Sequence, residues 1–127
     1  MYILGLNAYH ADSSAALLKD GVLIAAIEEE RFRRIKHWAG FPSEAIRFCL
    51  EDAGITLDQV DHIAIGRDIK AKRLKKIVFA ASHPAIGLKA ISNRLLNARQ
   101  VNSLAKEFAI HFPGVQEDSI YSRIHHV

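Results

Sequence analysis

Apolar residues in the first half of the chain fall into short runs separated by turn signals, which predicts strands before it predicts helices. Tyr2-Ile-Leu-Gly-Leu-Asn7 reads as a buried strand. Residues 15–19 and 22–27 flank Asp20-Gly21, a type I′ hairpin signal. Val22-Leu-Ile-Ala-Ala-Ile27 is apolar at every position and so reads as an inner strand rather than an edge. Gly40-Phe-Pro-Ser43 then opens a helix, with Pro42 near its first turn. Ala45, Ile46, Cys49, Leu50 and Ala53 form its apolar stripe over 42–53, and Gly54 ends it. Residues 61–66 read as another strand, which gives the order β-β-β-α-β.

After Gly66 the texture changes. Residues 69–80, 84–97 and 100–111 predict three helices, broken at His83-Pro84 and near Ala98. Pro113-Gly114 predicts a turn, and the alternating segment Ile120–Val127 a last strand. A strand with no helix after it leaves a sheet unfinished, so the chain is expected to be the front part of a larger protein. Three hairpin-joined strands followed by helix and strand open the ribonuclease-H-like fold shared by actin and sugar kinases. That likeness bears on the fold class, α/β, and gives no function.

Composition narrows the setting. The 127 residues make one domain's worth of chain, half apolar and about a quarter charged. The single cysteine, Cys49, excludes an internal disulfide and sits in an apolar helical pattern, as expected of a reduced, cytoplasmic protein. A basic leader and a bilayer-length apolar run are both missing, so secretion and membrane spanning are not expected. The net charge of +3 hides an asymmetry. Residues 1–66 hold six Lys/Arg against ten Asp/Glu, whereas 67–99 hold nine Lys/Arg against Asp68 alone. The basic stretch reads first as a solvated helix face. It lacks the aromatic interleaving of single-strand binders, so a nucleic-acid partner is not expected.

Candidate chemistry collects in two places. The turn Ala8–Ser14 holds His10, Asp12, Ser13 and Ser14 between two apolar strands. Hydroxyls both donate and accept, so Ser13 and Ser14 suit a phosphate or carbonyl ligand. Asp12 can hold the turn or a metal-bound water, and His10 is suited to proton transfer near neutral pH. The plain alternative is a structural Asx/ST turn. The second cluster runs from Glu28 to His37: three acids, then Arg31, Arg33, Arg34 and Lys36. It reads either as a salt-bridged exposed segment or as an anion clamp in which Arg31 and Lys36 meet a phosphate or carboxylate. His125 and His126, adjacent on a strand, point to opposite faces and are not expected to share a metal.

Three segments together resemble one family. They are Ile3-Leu-Gly-Leu-Asn-Ala-Tyr-His-Ala-Asp-Ser-Ser-Ala-Ala-Leu17, Glu28-Glu-Glu-Arg-Phe-Arg-Arg-Ile-Lys-His37, and Phe41-Pro-Ser-Glu-Ala-Ile46 with the helix to Gly54-Ile55. The chain resembles the N-terminal part of the O-carbamoyltransferases of nodulation-factor and antibiotic biosynthesis (NodU/CmcH). The Glu-Glu-Arg-Phe…Lys-His block argues against a sugar kinase. The resemblance implies an actin-like domain similar to the tRNA threonylcarbamoyladenosine transferase, incomplete in residues 1–127, with a helical insert at about 67–119. It also implies a YrdC-type C-terminal part. Carbamoyl phosphate and ATP would give carbamoyl-adenylate, whose carbamoyl group passes to a hydroxyl of a sugar, nodulation factor or antibiotic-like metabolite. A divalent metal (iron, manganese or magnesium) belongs to the full-length enzyme, held by a His-His-x-x-His motif expected just after Val127. His10 would then be the catalytic group, and Asp12, Ser13 and Ser14 ligands of nucleotide or carbamoyl. Arg31, Lys36 and His37 would bind anions or pack domains. The chain alone is not expected to complete the reaction or to hold a cofactor tightly.

Overall fold

The computed structural model describes residues 1–66 and 104–127. The elements are β1 (Tyr2–Asn7), β2 (Ser14–Lys19), β3 (Val22–Glu28), α1 (Glu30–Arg33), α2 (Ser43–Asp52), a 3-10 turn (Leu57–Gln59), β4 (His62–Ile65), α3 (Leu104–His111), α4 (Glu117–Tyr121) and β5 (Ile124–His126). They build one mixed sheet in the order β3-β2-β1-β4-β5. Neighbours β1/β2 and β2/β3 are antiparallel, while β1/β4 and β4/β5 are parallel. The architecture is therefore α/β.

The hairpin forms as its sequence dictates. Asp20 and Gly21 both adopt positive φ, 51° and 83°, as a type I′ turn requires. Asp20 also accepts a 2.6 Å hydrogen bond from the N-terminal ammonium, which holds its carboxyl below the usual range. Period-two alternation then sorts the side chains. Leu4, Leu6, Ala15, Leu17, Ile63 and Ile65 are buried on one face, against Ala45, Ile46, Cys49 and Leu50 of α2. Each fully buried Leu or Ile there contributes about 1.5–3 kcal/mol. Burial pushes the Cys49 thiol up to about 11, so it is an inert core group. Leu104, Ala105, Phe108 and Ile120 complete this core, with Phe108 edge-on to Phe41 at 5.1 Å between ring centroids. Helix α2 ends in a Schellman motif. The Ile55 N–H bonds the Leu50 carbonyl and the Gly54 N–H the Glu51 carbonyl, each at 3.0 Å, with Gly54 at φ 64°.

The opposite sheet face is lined by small residues. Gly5 lies opposite Ala16 on one side and Ala64 on the other, and Ala16 lies opposite Ala26. Polar residues cap this strip where β1 ends and β2 begins.

Two expectations are corrected. Val22–Ile27 is not an inner strand: among the described residues β3 is an edge, with Val22 64% and Leu23 59% exposed. A run that is apolar on both faces does not reveal how many neighbours it has, and the hairpin supplied only β2. Residues 120–127 are not one strand either. Ile120 and Tyr121 end helix α4, and only Ile124–His126 pair with β4. Ile120 is fully buried, and anchoring it from a helical turn satisfies the core as well as a strand would. The third predicted helix is seen as α3, the Pro113-Gly114 turn is present with Gly114 at φ 95°, and the helices expected at 69–80 and 84–97 lie outside the described residues. No helix among the described residues is long and apolar enough to cross a membrane.

Candidate functional site

The turn between β1 and β2 is tied from three directions. Asn7 donates its side-chain amide to the carbonyls of Ala11 and Asp12, at 3.3 and 3.0 Å. The Ser13 hydroxyl reaches the carbonyls of Gly40 (2.9 Å) and His10 (3.1 Å), and the Ser13 N–H bonds the Trp38 carbonyl. The Glu29 N–H bonds the Ser13 carbonyl at 2.8 Å. Ser13 is thereby fully buried, and its hydroxyl is engaged with the backbone. Tyr9 and Asp12 sit at φ 60° and 65°, and His37 at 56°. A left-handed non-glycine residue costs about 1–2 kcal/mol, and such conformations gather where a site is preorganised.

Asp12 and His37 join the two sequence blocks. Their side chains meet at 2.9 Å, in the open. The hydrogen bond that the His37 ring donates to Asp12, and then the Asp12 charge, raise the His37 pKa above its ordinary value. His10 and Lys36 are exposed and make no side-chain hydrogen bond or ion pair among the described residues. The Tyr9 hydroxyl and the Trp38 indole N–H are buried and have no hydrogen-bond partner among the described residues, and burial raises the Tyr9 pKa.

Ser14 behaves differently from Ser13. It faces the small-residue side of the sheet, opposite Asn7 on β1 and Glu28 on β3. With Gly5, Ala16, Ala26 and Arg31 these residues line an open cavity of about 620 Å³. The lining offers a hydroxyl, an amide, a guanidinium and a carboxylate. Neither Glu28 nor Arg31 is ion-paired among the described residues. Such a set suits a small ligand that is both acceptor and donor, such as a carbonyl bearing an N–H group.

Two residues that organise the site were not singled out in the sequence. Glu29 is fully buried. Its carboxylate accepts the N–H groups of Glu44 (3.3 Å) and Ala45 (2.8 Å) at the start of α2, where Pro42 offers no side-chain cap. It also takes a 2.7 Å hydrogen bond from Arg33. Arg33 continues to Ser43 Oγ at 3.1 Å and lies 4.6 Å over the Trp38 ring. A Cβ on Gly40 would fall 2.8 Å from that indole, so only glycine admits this approach. Glu29 and Arg33 stand at i, i+4, the helical pairing that could have marked them. Asn7 is the other, a turn-forming residue at a strand end. Of the predicted site residues, the structure brings Ser14 to Arg31 and Asp12 to His37. It leaves His10 and Lys36 apart from either pair.

The chain is 58% identical over 62 residues to an uncharacterized protein, sll1178, of Synechocystis. It is 40% identical over 86 residues to the nodulation protein NolNO of Sinorhizobium fredii, and 32% over 76 residues to an uncharacterized protein of Methanocaldococcus jannaschii, MJ1051. Those alignments take in 49%, 66% and 59% of this chain but only 10%, 13% and 14% of the three relatives. The sequence model of the family described as Carbamoyltransferase N-terminus matches residues 2–111, and the chain belongs to that family.

Proposed function

We propose that this chain is the acceptor-side N-terminal part of a cytoplasmic O-carbamoyltransferase, with the start of an actin-like fold. The family match over residues 2–111 carries the reading. The cavity beside Ser14 and Arg31 supports it, because its mixed donors and acceptor suit a carbamoyl group. The carbonyl oxygen would take hydrogen bonds from Ser14 and Arg31, and the carbamoyl N–H would face Glu28. The phosphate of carbamoyl-adenylate, made elsewhere in the full-length protein from carbamoyl phosphate and ATP, would lie toward the turn at Asp12–Ser14. The acceptor is a hydroxyl-bearing small molecule of the sugar, nodulation-factor or antibiotic class. Its oxygen attacks the carbamoyl carbon, the bond from that carbon to the adenylate oxygen breaks, and the hydroxyl proton passes to a base, the role that the family resemblance gives to His10 on the exposed turn. Donors fixed by the tied turn would stabilise the developing oxyanion. Among the described residues no group of three His, Cys, Asp or Glu side chains is placed to hold a metal. The divalent metal that the family resemblance implies therefore finds no ligand set in them, and no step assigned to this chain runs through it.

The test separates the two half-reactions in the full-length enzyme. His10→Asn is expected to lower carbamate formation by about a hundredfold to ten-thousandfold. It should leave adenylate-dependent pyrophosphate release near normal, since adenylate formation belongs to the C-terminal part. Near-normal transfer by this variant would return His10 to a turn residue without a catalytic role.

A further inference from the structure

Away from the turn, two imidazoles meet on the small-residue face of the sheet. His62 opens β4, and His125 lies on β5 opposite Ala64. His62 is therefore one step diagonal to His125 on the same face. His62 Nδ1 and His125 Nε2 stand 3.0 Å apart, with ring centroids at 4.9 Å and planes at 64°. With neutral rings, one N–H donates to the other nitrogen. The same two nitrogens are also spaced as a chelating pair would be. Metal–imidazole bonds run about 2.0–2.1 Å, so two nitrogens bound at right angles sit about 2.9 Å apart and two in a tetrahedron about 3.3 Å. The observed separation matches the right-angled case, which copper(II) and nickel(II) prefer.

We propose that His62 and His125 form a surface site for a divalent transition metal of the copper or nickel class, bridging β4 and β5. Among the described residues no third His, Cys, Asp or Glu joins the pair. This site is separate from the cavity at Ser14 and Arg31, and it does not use the adjacent pair His125-His126: His126 shares its register position with Ile65, on the other face. Binding would displace the shared proton and clamp the three-residue β5 to its neighbour. A ligand that binds only this paired state stabilises it by mass action.

The test titrates the untagged 127-residue chain with Cu²⁺, Ni²⁺, Zn²⁺ and Mg²⁺ by calorimetry and follows Cu²⁺ by electron paramagnetic resonance. One Cu²⁺ per chain is expected, with a two-nitrogen hyperfine pattern, binding tighter than Zn²⁺ and with Mg²⁺ silent. His62→Gln and His125→Gln, each checked for native circular dichroism, should each weaken Cu²⁺ binding at least tenfold, while His126→Gln leaves it unchanged. Unaltered Cu²⁺ affinity in His62→Gln, or equal loss in His126→Gln, would overturn the proposal. So would a one-nitrogen spectrum.

Discussion

Ser13 and Ser14 are neighbours in sequence, as are Glu28 and Glu29, yet each pair is divided between two environments. Ser13 and Glu29 turn inward and are fully buried. Ser14 and Glu28 lie opposite each other across β2 and β3 and line the cavity. The inward pair holds the frame: Ser13 ties the turn to Gly40, and Glu29 ties α1 to the start of α2. The outward pair is left available to a ligand. The division falls at the strand ends: Ser14 and Glu28 are terminal residues of β2 and β3, whereas Ser13 and Glu29 lie just outside them, so one residue of displacement separates a buried side chain from a cavity-lining one.

The largest expected effect breaks the inward half. Glu29→Ala would leave two N–H groups of α2 and the Arg33 guanidinium without their acceptor. Removing one partner of a buried pair typically costs about 3–5 kcal/mol, so chemical denaturation should show a loss of that size. Glu28→Gln, one residue away, should change stability by no more than about 0.5 kcal/mol. In the full-length enzyme it should still weaken carbamoyl transfer. Equal destabilisation by the two variants would mean that the inward and outward roles are not separate.

Much of this frame was legible in the sequence. Strands β1 and β2, the Asp20-Gly21 turn, and helix α2 with its stripe and Gly54 terminator all rest on local signals. The division within the acidic run was not legible, because three consecutive acids carry no direction until the end of β3 is fixed. Helix α4 was missed although Glu117 and Asp118 stand in its first turn, a helix-start signal. The alternation in residues 120–127 masked it. The meeting of His62 with His125 spans 63 positions and depends on the parallel register of β4 and β5, which no local pattern encodes. The edge position of β3 is likewise a property of the whole sheet.

A smaller effect separates the serines. Ser13→Ala removes a buried hydroxyl that bonds the His10 and Gly40 carbonyls and should cost about 1–3 kcal/mol in the same denaturation assay. Ser14→Ala should stay within about 0.5 kcal/mol in the isolated chain, since its hydroxyl faces the open cavity. If Ser14→Ala proved the more damaging of the two, Ser14 rather than Ser13 would be the tie of the turn.

The smallest effect probes the one side-chain contact between the two blocks on the open side of the turn, Asp12 with His37. Asp12 raises the His37 pKa, chiefly by accepting its hydrogen bond and then by its charge. A raised folded-state value means that the contact stabilises the fold fully below the ordinary value of 6.5, and that this contribution is lost as the pH rises through the higher folded value. A proton NMR titration of the imidazole should therefore place His37 above 6.5, and Asp12→Asn should bring it back toward that value. The stability difference between wild type and Asp12→Asn should be larger at pH 5.5 than at pH 8.5, and modest at both because the pair is exposed. A His37 titration unchanged by Asp12→Asn would show that the two blocks are held together only by the inward ties through Ser13, Trp38 and Gly40.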